Sequence, residues 1–189
     1  LPAAIQALFV SGAIRMGKSF SPKIPHLMSR LNTLIFDTFL YERFVTLFYC
    51  ELTLCSNRLV LYANAGHCEP IHYRPKEDRI QLLKPTGGLL GLVRNQKFKM
   101  ENIRMHPGDV LVLYSDGITE AHNTEGEMFG QQKLIDLVKK YHELSPKEIA
   151  TNVTQDVQEF TLNSPYTDDK TIVVIKRDED SKNEDDDES

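Results

Sequence analysis

Apolar residues recur with two different periods along this chain, and the change of period divides it. Ile5, Leu8, Phe9 and Ala13 lie three to four residues apart, so residues 2–16 read as an amphipathic helix, with Gly17 placed to end it. Ser21-Pro22 supplies a cap residue followed by proline, the usual start of a helix. Leu27, Leu31, Leu34 and Ile35 then give that second helix one apolar face to about Leu40. From Phe44 the spacing becomes strand-like. Residues 44–54 and 58–63, joined by Ser56-Asn57, predict an antiparallel hairpin. Both faces of its first strand are apolar, which predicts cover on both sides. Further strands are predicted at 70–74, 79–83, 97–105 and 109–115.

Two more helices follow. Leu134, Ile135, Leu137 and Val138 mark one over 131–141, and Ser145-Pro146-Lys147-Glu148 has capping-box spacing ahead of another running to Phe160. Residues 171–176 form a last strand. Two helices, a run of strands, two helices and a strand predict an α+β fold with mostly antiparallel sheet. The 189 residues suit one domain with a substantial core.

Charge changes this picture only at the end. The net charge of −5 is dominated by residues 178–189, which carry eight acidic residues and one lysine. The remaining 21 basic and 19 acidic residues make a nearly neutral body of +2. So acidic a block has too little apolar surface to offset its ordering entropy, so 178–189 is expected to be a disordered tail after a domain spanning 1–177. No basic stripe with interleaved aromatics suggests nucleic acid. No apolar run reaches the ~18–20 residues of a membrane span. Cys50, Cys55 and Cys68 lack zinc spacing and are odd in number, which points to a reducing, cytoplasmic setting.

The candidate chemistry sits at strand ends. Asp116 follows the apolar run Val110-Leu111-Val112-Leu113-Tyr114-Ser115, and Asp168-Asp169 precedes Thr171-Ile172-Val173-Val174. Hard divalent cations favour such carboxylates on rigid supports. Aspartates in turns also bond their own backbone, and that reading stays open. Asn64-Ala65-Gly66-His67 offers a histidine able to ligate a metal, bind phosphate or donate a proton. The other reading is a tight turn with Gly66 at positive φ and a half-buried histidine. Gly87-Gly88-Leu89-Leu90-Gly91 lacks the Lys-Ser/Thr ending of a P-loop. His26, His72, His106, His122 and His142 share no ligand spacing and receive no role.

These motifs occur in a telling order: Phe44 to Tyr49, Asn64 to His67, Gly88 to Gly91, Gly108-Asp109-Val110 through Ser115-Asp116-Gly117-Ile118-Thr119-Glu120-Ala121, Glu127-Met128-Phe129-Gly130, and Asp168-Asp169-Lys170-Thr171. Over residues 1–177 the chain closely resembles the SpoIIE/RsbU-type serine phosphatases, the bacterial branch of the metal-dependent PPM protein phosphatases. The resemblance implies a β-sandwich of two antiparallel sheets flanked by helices, with a dinuclear Mn²⁺ or Mg²⁺ site. Water activated there attacks phosphorus directly, without a phosphoenzyme. By position Asp116 and Asp168 match metal ligands, and Asp169 fits the next position, where relatives often have asparagine. Gly117, Asn64 and His67 would lie beside the site. The implied substrate is phosphoserine on a regulatory protein, usually an anti-sigma-factor antagonist of a partner-switching pathway. An upstream sensor domain and a homodimer are further implied partners. In the family the first two helices often act as a switch, the place held here by residues 2–16 and 21–40.

One departure matters. The family's Gly-Asp-Val-x-Gly-His-Gly segment runs into a helix with an Ala-Ala pair, matched by Ala3-Ala4, so its bridging aspartate and glycine carbonyl would precede Leu1. The first strands of the sandwich would precede it too. The rival readings are a non-catalytic interaction or self-association module with a degenerate phosphatase fold, and an unrelated β-sandwich. With Mn²⁺ and a phosphoserine substrate, this polypeptide is expected to show little or no turnover beside one extended N-terminally by that segment. Equal, robust turnover by both contradicts the expectation.

Overall fold

The computed structural model describes residues 3–20, 23–39, 44–53, 58–162, 164 and 168–178. In chain order the elements are α1 (Ala3–Lys18), α2 (Ile24–Thr38), β1 (Leu47–Leu52), β2 (Leu59–Ala65), β3 (Ile71–Arg74), β4 (Arg79–Leu82), β5 (Glu101–Arg104), β6 (Val110–Tyr114), α3 (Asp116–Thr119), α4 (Gly130–Tyr141), α5 (Pro146–Phe160) and β7 (Ile172–Lys176). A single 3₁₀ turn, Pro75–Glu77, joins β3 to β4. All strand pairs within the two sheets are antiparallel. The expected α+β class is therefore the observed one. No helix among the described residues is long and apolar enough to cross a membrane.

The chain divides into two compact units. The first takes residues 1–69 and 83–104, the second 70–82 and 105–189.

The first unit holds α1, α2 and a three-stranded sheet in the order β1-β2-β5. Ile24, Leu27, Met28, Leu31 and Ile35 fall on one stripe of α2, each at most 3% exposed. They cluster with Tyr49 of β1 and with Ala63 and Ala65 of β2. The alanines are small enough to let the helix lie close to the strand. Asn32, also fully buried on α2, spends its amide on the connection after Leu90. It donates to the carbonyls of Val93 (2.9 Å) and Arg94 (2.8 Å) and accepts from the Gly91 amide (2.9 Å). A buried amide with three partners costs little, and it ties loop to helix.

Several expectations shift in this unit. Gly17 does not end α1, which continues to Lys18; a Cβ there would meet Leu27 Cδ1 at 2.8 Å, so the glycine permits close helix packing. Of α1, Val10 is buried, with Phe9, Ala13 and Ile14 packed beside the cluster, while Ile5 and Leu8 are exposed. α2 starts after Lys23 with Pro25 in its first turn, and Leu34 is exposed. Ser21, Pro22, Leu40 and the Ser56-Asn57 connection lie outside the described residues. β1 is an edge strand in which Tyr49 is buried and Leu47, Phe48, Cys50 and Glu51, which include residues of both faces, are half-buried.

The second unit carries a four-stranded sheet ordered β4-β3-β6-β7. β6 is a central strand, with Val110, Leu111, Val112 and Tyr114 buried. α5 buries Ile149, Val153 and Val157, four residues apart, and packs on β7; α4 buries Leu134, Ile135 and Val138. The predicted capping box forms: Ser145 Oγ accepts from the Glu148 amide (3.3 Å), and the Glu148 carboxylate accepts from the Ser145 amide (3.0 Å). Residues 179–189 of the acidic tail lie outside the described residues.

A histidine without an expected role is structural here. His72 and Asp109 are 2% and 1% exposed. Asp109 Oδ2 accepts from His72 Nε2 (2.8 Å), the His106 amide (2.8 Å) and Arg74 Nε (3.4 Å). Burial pushes the Asp109 carboxyl up, but the bonds from His72 and His106 and the positive charge nearby outweigh it and hold it below the usual carboxylate value. Since the folded value is the lower one, the stabilisation is complete above the unfolded value of about 3.9 and is lost as pH falls through the folded value. Asp109→Asn is expected to cost about 3 kcal/mol at pH 7 by urea denaturation, a gap that narrows below about pH 4. No gap at pH 7, or one undiminished at pH 2, contradicts this.

Candidate metal centre

β6 leaves the second unit's sheet at Tyr114 and meets a polar step, Ser115-Asp116-Gly117. Asp116 opens a single helical turn, α3, where the sequence suggested only an Asp-Gly turn. The turn closes through the Asp116 carbonyl, which accepts from the Glu120 amide at 2.8 Å. Ser115 stands at the N-cap position with extended backbone, yet its hydroxyl makes no capping bond. It is used elsewhere.

That hydroxyl reaches the segment entering β7. Ser115 Oγ donates to the Asp169 carbonyl (3.1 Å) and accepts from the Thr171 amide (2.9 Å). The Ser115 amide donates to the Thr171 carbonyl at 3.0 Å. Three bonds from one residue fix residues 169–171 across the end of β6. Gly117 completes the contact. A Cβ at this position would overlap the Asp169 carbonyl oxygen and stand 3.0 Å from its carbon and 3.5 Å from the Asp168 carbonyl carbon. Only a residue without a side chain lets the two segments lie this close.

The backbone segments that carry two of the predicted ligands are therefore brought together. Asp116 and Asp168 come from strand ends 52 residues apart in sequence, and both are exposed beside the Gly117 contact. Each carboxylate accepts from the amide that follows it: Asp116 from Gly117 (3.0 Å), Asp168 from Asp169 (2.7 Å). Those bonds are the turn-forming habit of aspartate. They also hold each carboxylate in one orientation, which a metal ligand needs. Asp169 enters the contact through its backbone carbonyl.

Asn64 and His67 belong to the first unit. Asn64 is fully buried and shapes a turn: its amide donates to the carbonyls of His67 (3.2 Å) and Leu83 (3.1 Å) and accepts from the His67 amide (2.8 Å). Gly66 has φ +66, as a tight turn requires. His67 is half-buried, with Nδ1 3.3 Å from Thr46 Oγ1.

Oxygen donors on fixed backbone suit a hard divalent ion such as Mn²⁺ or Mg²⁺. Among the described residues, however, no three His, Cys, Asp or Glu side chains gather to hold one. Asp116 and Asp168 are two exposed carboxylates on adjoining backbone segments. The residue that sequence reasoning missed is Ser115. Its signal was a small hydroxyl residue between an apolar strand and the aspartate, which alone reads as a helix cap.

Three comparisons bear on identity. The model of the family Stage II sporulation protein E (SpoIIE) matches residues 1–178. Protein IcfG of Synechocystis sp. is 31% identical over 134 residues, which is 71% of this chain and 21% of that protein. Phosphoserine phosphatase RsbU of Bacillus subtilis is 27% identical over 154 residues, 80% of this chain and 44% of that protein. The chain thus spans about a fifth and under half of the lengths of these curated relatives. Among solved structures, the fold matches the SiaA-PP2C domain of Pseudomonas aeruginosa with a TM-score of 0.81 at 17% identity, over 94% of this chain and 71% of that one. An unrelated β-sandwich is excluded by these matches. The chain belongs to the SpoIIE family, the SpoIIE/RsbU-type branch of the PPM protein serine phosphatases.

Proposed function

We propose that this chain supplies part of a metal-dependent active site that hydrolyses phosphoserine on a regulatory protein, water and phosphoserine giving serine and inorganic phosphate. Asp116 and Asp168 are ligands to Mn²⁺ or Mg²⁺, with Asp169 beside them. The observation that supports this reading is the close backbone approach of the segments carrying Asp116 and Asp168 at Gly117, in a chain of this family. When bound, such ions lower the pKa of water and neutralise charge on phosphoryl oxygens. The chain's own residues set the geometry. The amides of Gly117 and Asp169 each anchor one oxygen of the neighbouring carboxylate, and Gly117 lets the two segments lie close.

The likeness to a phosphoserine phosphatase supports the substrate class. A partner-switching regulatory protein as substrate, an upstream sensor domain, a homodimer and a cytoplasmic site of action complete the reading. The rival is an interaction module of the same fold without catalysis.

In a polypeptide extended N-terminally by the family's Gly-Asp-Val-x-Gly-His-Gly segment, Asp116→Asn and Asp168→Asn are each expected to lower kcat/KM toward a phosphoserine peptide by about 100-fold or more. Gly117→Ala should act in the same direction, because its methyl displaces the 168–169 segment. Asp169→Asn should have the smallest effect. Turnover by Asp116→Asn and Asp168→Asn equal to the unsubstituted protein refutes the assignment. Absence of Mn²⁺-dependent turnover in the extended protein favours the interaction module.

A further inference from the structure

We infer that Ser115 is a positioning residue that sets the spacing between the two ligand carboxylates; this rests on the metal reading of Asp116 and Asp168. Its hydroxyl is used in both directions at once. The proton goes to the Asp169 carbonyl (3.1 Å) and a lone pair takes the Thr171 amide (2.9 Å), so the orientation of the hydroxyl is fixed. The Ser115 backbone amide adds a third bond, to the Thr171 carbonyl.

The consequence is geometric. Ser115 is adjacent in sequence to Asp116, and the groups it binds flank the segment that follows Asp168. A displacement of the 169–171 segment moves Asp168 against Asp116, and the Gly117 face permits that sliding because it offers no side chain as a stop. The hydroxyl is the side-chain restraint on that segment, beside the backbone bond from the Ser115 amide. A helix-capping role does not account for it, since Ser115 makes no side-chain bond to α3. Threonine retains the same donor and acceptor; alanine retains neither.

The test uses the N-terminally extended polypeptide and Ser115→Ala, Ser115→Thr and Asp116→Asn. In metal-free protein, amide exchange at Thr171 is expected to be roughly tenfold faster in Ser115→Ala and near the unsubstituted rate in Ser115→Thr. The Mn²⁺ concentration giving half-maximal phosphoserine hydrolysis is expected to rise about tenfold in Ser115→Ala, with kcat at saturating Mn²⁺ within about twofold. Ser115→Thr should restore it. An unchanged Thr171 amide in a folded Ser115→Ala protein overturns the restraint. Faster exchange with unchanged Mn²⁺ dependence overturns its part in spacing the ligands. If Asp116→Asn also leaves Mn²⁺ dependence unchanged, it is the metal reading that fails, and the two failures are thereby told apart.

Discussion

Strand β6 has no room for charge along its length. Between β3 and β7, and with Val110, Leu111, Val112 and Tyr114 buried, it forces polar chemistry to its two ends. Each end carries an aspartate, and the two have opposite environments. Asp109, before the strand, is buried and satisfied by His72, Arg74 and the His106 amide, so it is committed to holding the sheet together. Asp116, after the strand, is exposed, with its carboxylate anchored by one neighbouring amide. A rigid strand between a locked end and an open end places the open carboxylate reproducibly, as a site of this kind requires.

The open end is completed by residues far away in sequence. Ser115 and Gly117 flank Asp116, and both act on the segment after Asp168. The serine supplies directional bonds, and the glycine supplies closeness. Together they turn the Ser-Asp-Gly step from a local turn into a joint between two strand ends. This explains why an apolar strand, a hydroxyl residue, an aspartate and a glycine occur in that order.

Much of this was legible in the sequence. The switch from helical to strand spacing located the strands, and Ser145 to Glu148 announced α5 through a signal that is local and therefore readable. Where expectation failed, the deciding force was tertiary. α1 is apolar nearly all round, so its period does not say which face is covered, and Val10 rather than Ile5 or Leu8 is buried. At the site, Asp116 and Asp168 stood out because acidic residues at apolar strand ends are conspicuous. Ser115 did not, because serine before aspartate is an ordinary helix start; only the pairing of β6 with β7 gives its hydroxyl another partner. Asn64 and His67 were readable as a turn, and the structure shows that turn held by the buried Asn64 side chain.

Family membership and geometry meet in the proposal that Asp116 and Asp168 hold the same metal ion. Paramagnetic broadening by Mn²⁺ in the amide NMR spectrum of the N-terminally extended protein tests it directly. The account predicts that the amides of Gly117 and Asp169, each hydrogen-bonded to one of the two carboxylates, broaden together at substoichiometric Mn²⁺. Mg²⁺ in excess should restore both. Broadening of one amide without the other, or of neither, would contradict a shared ion.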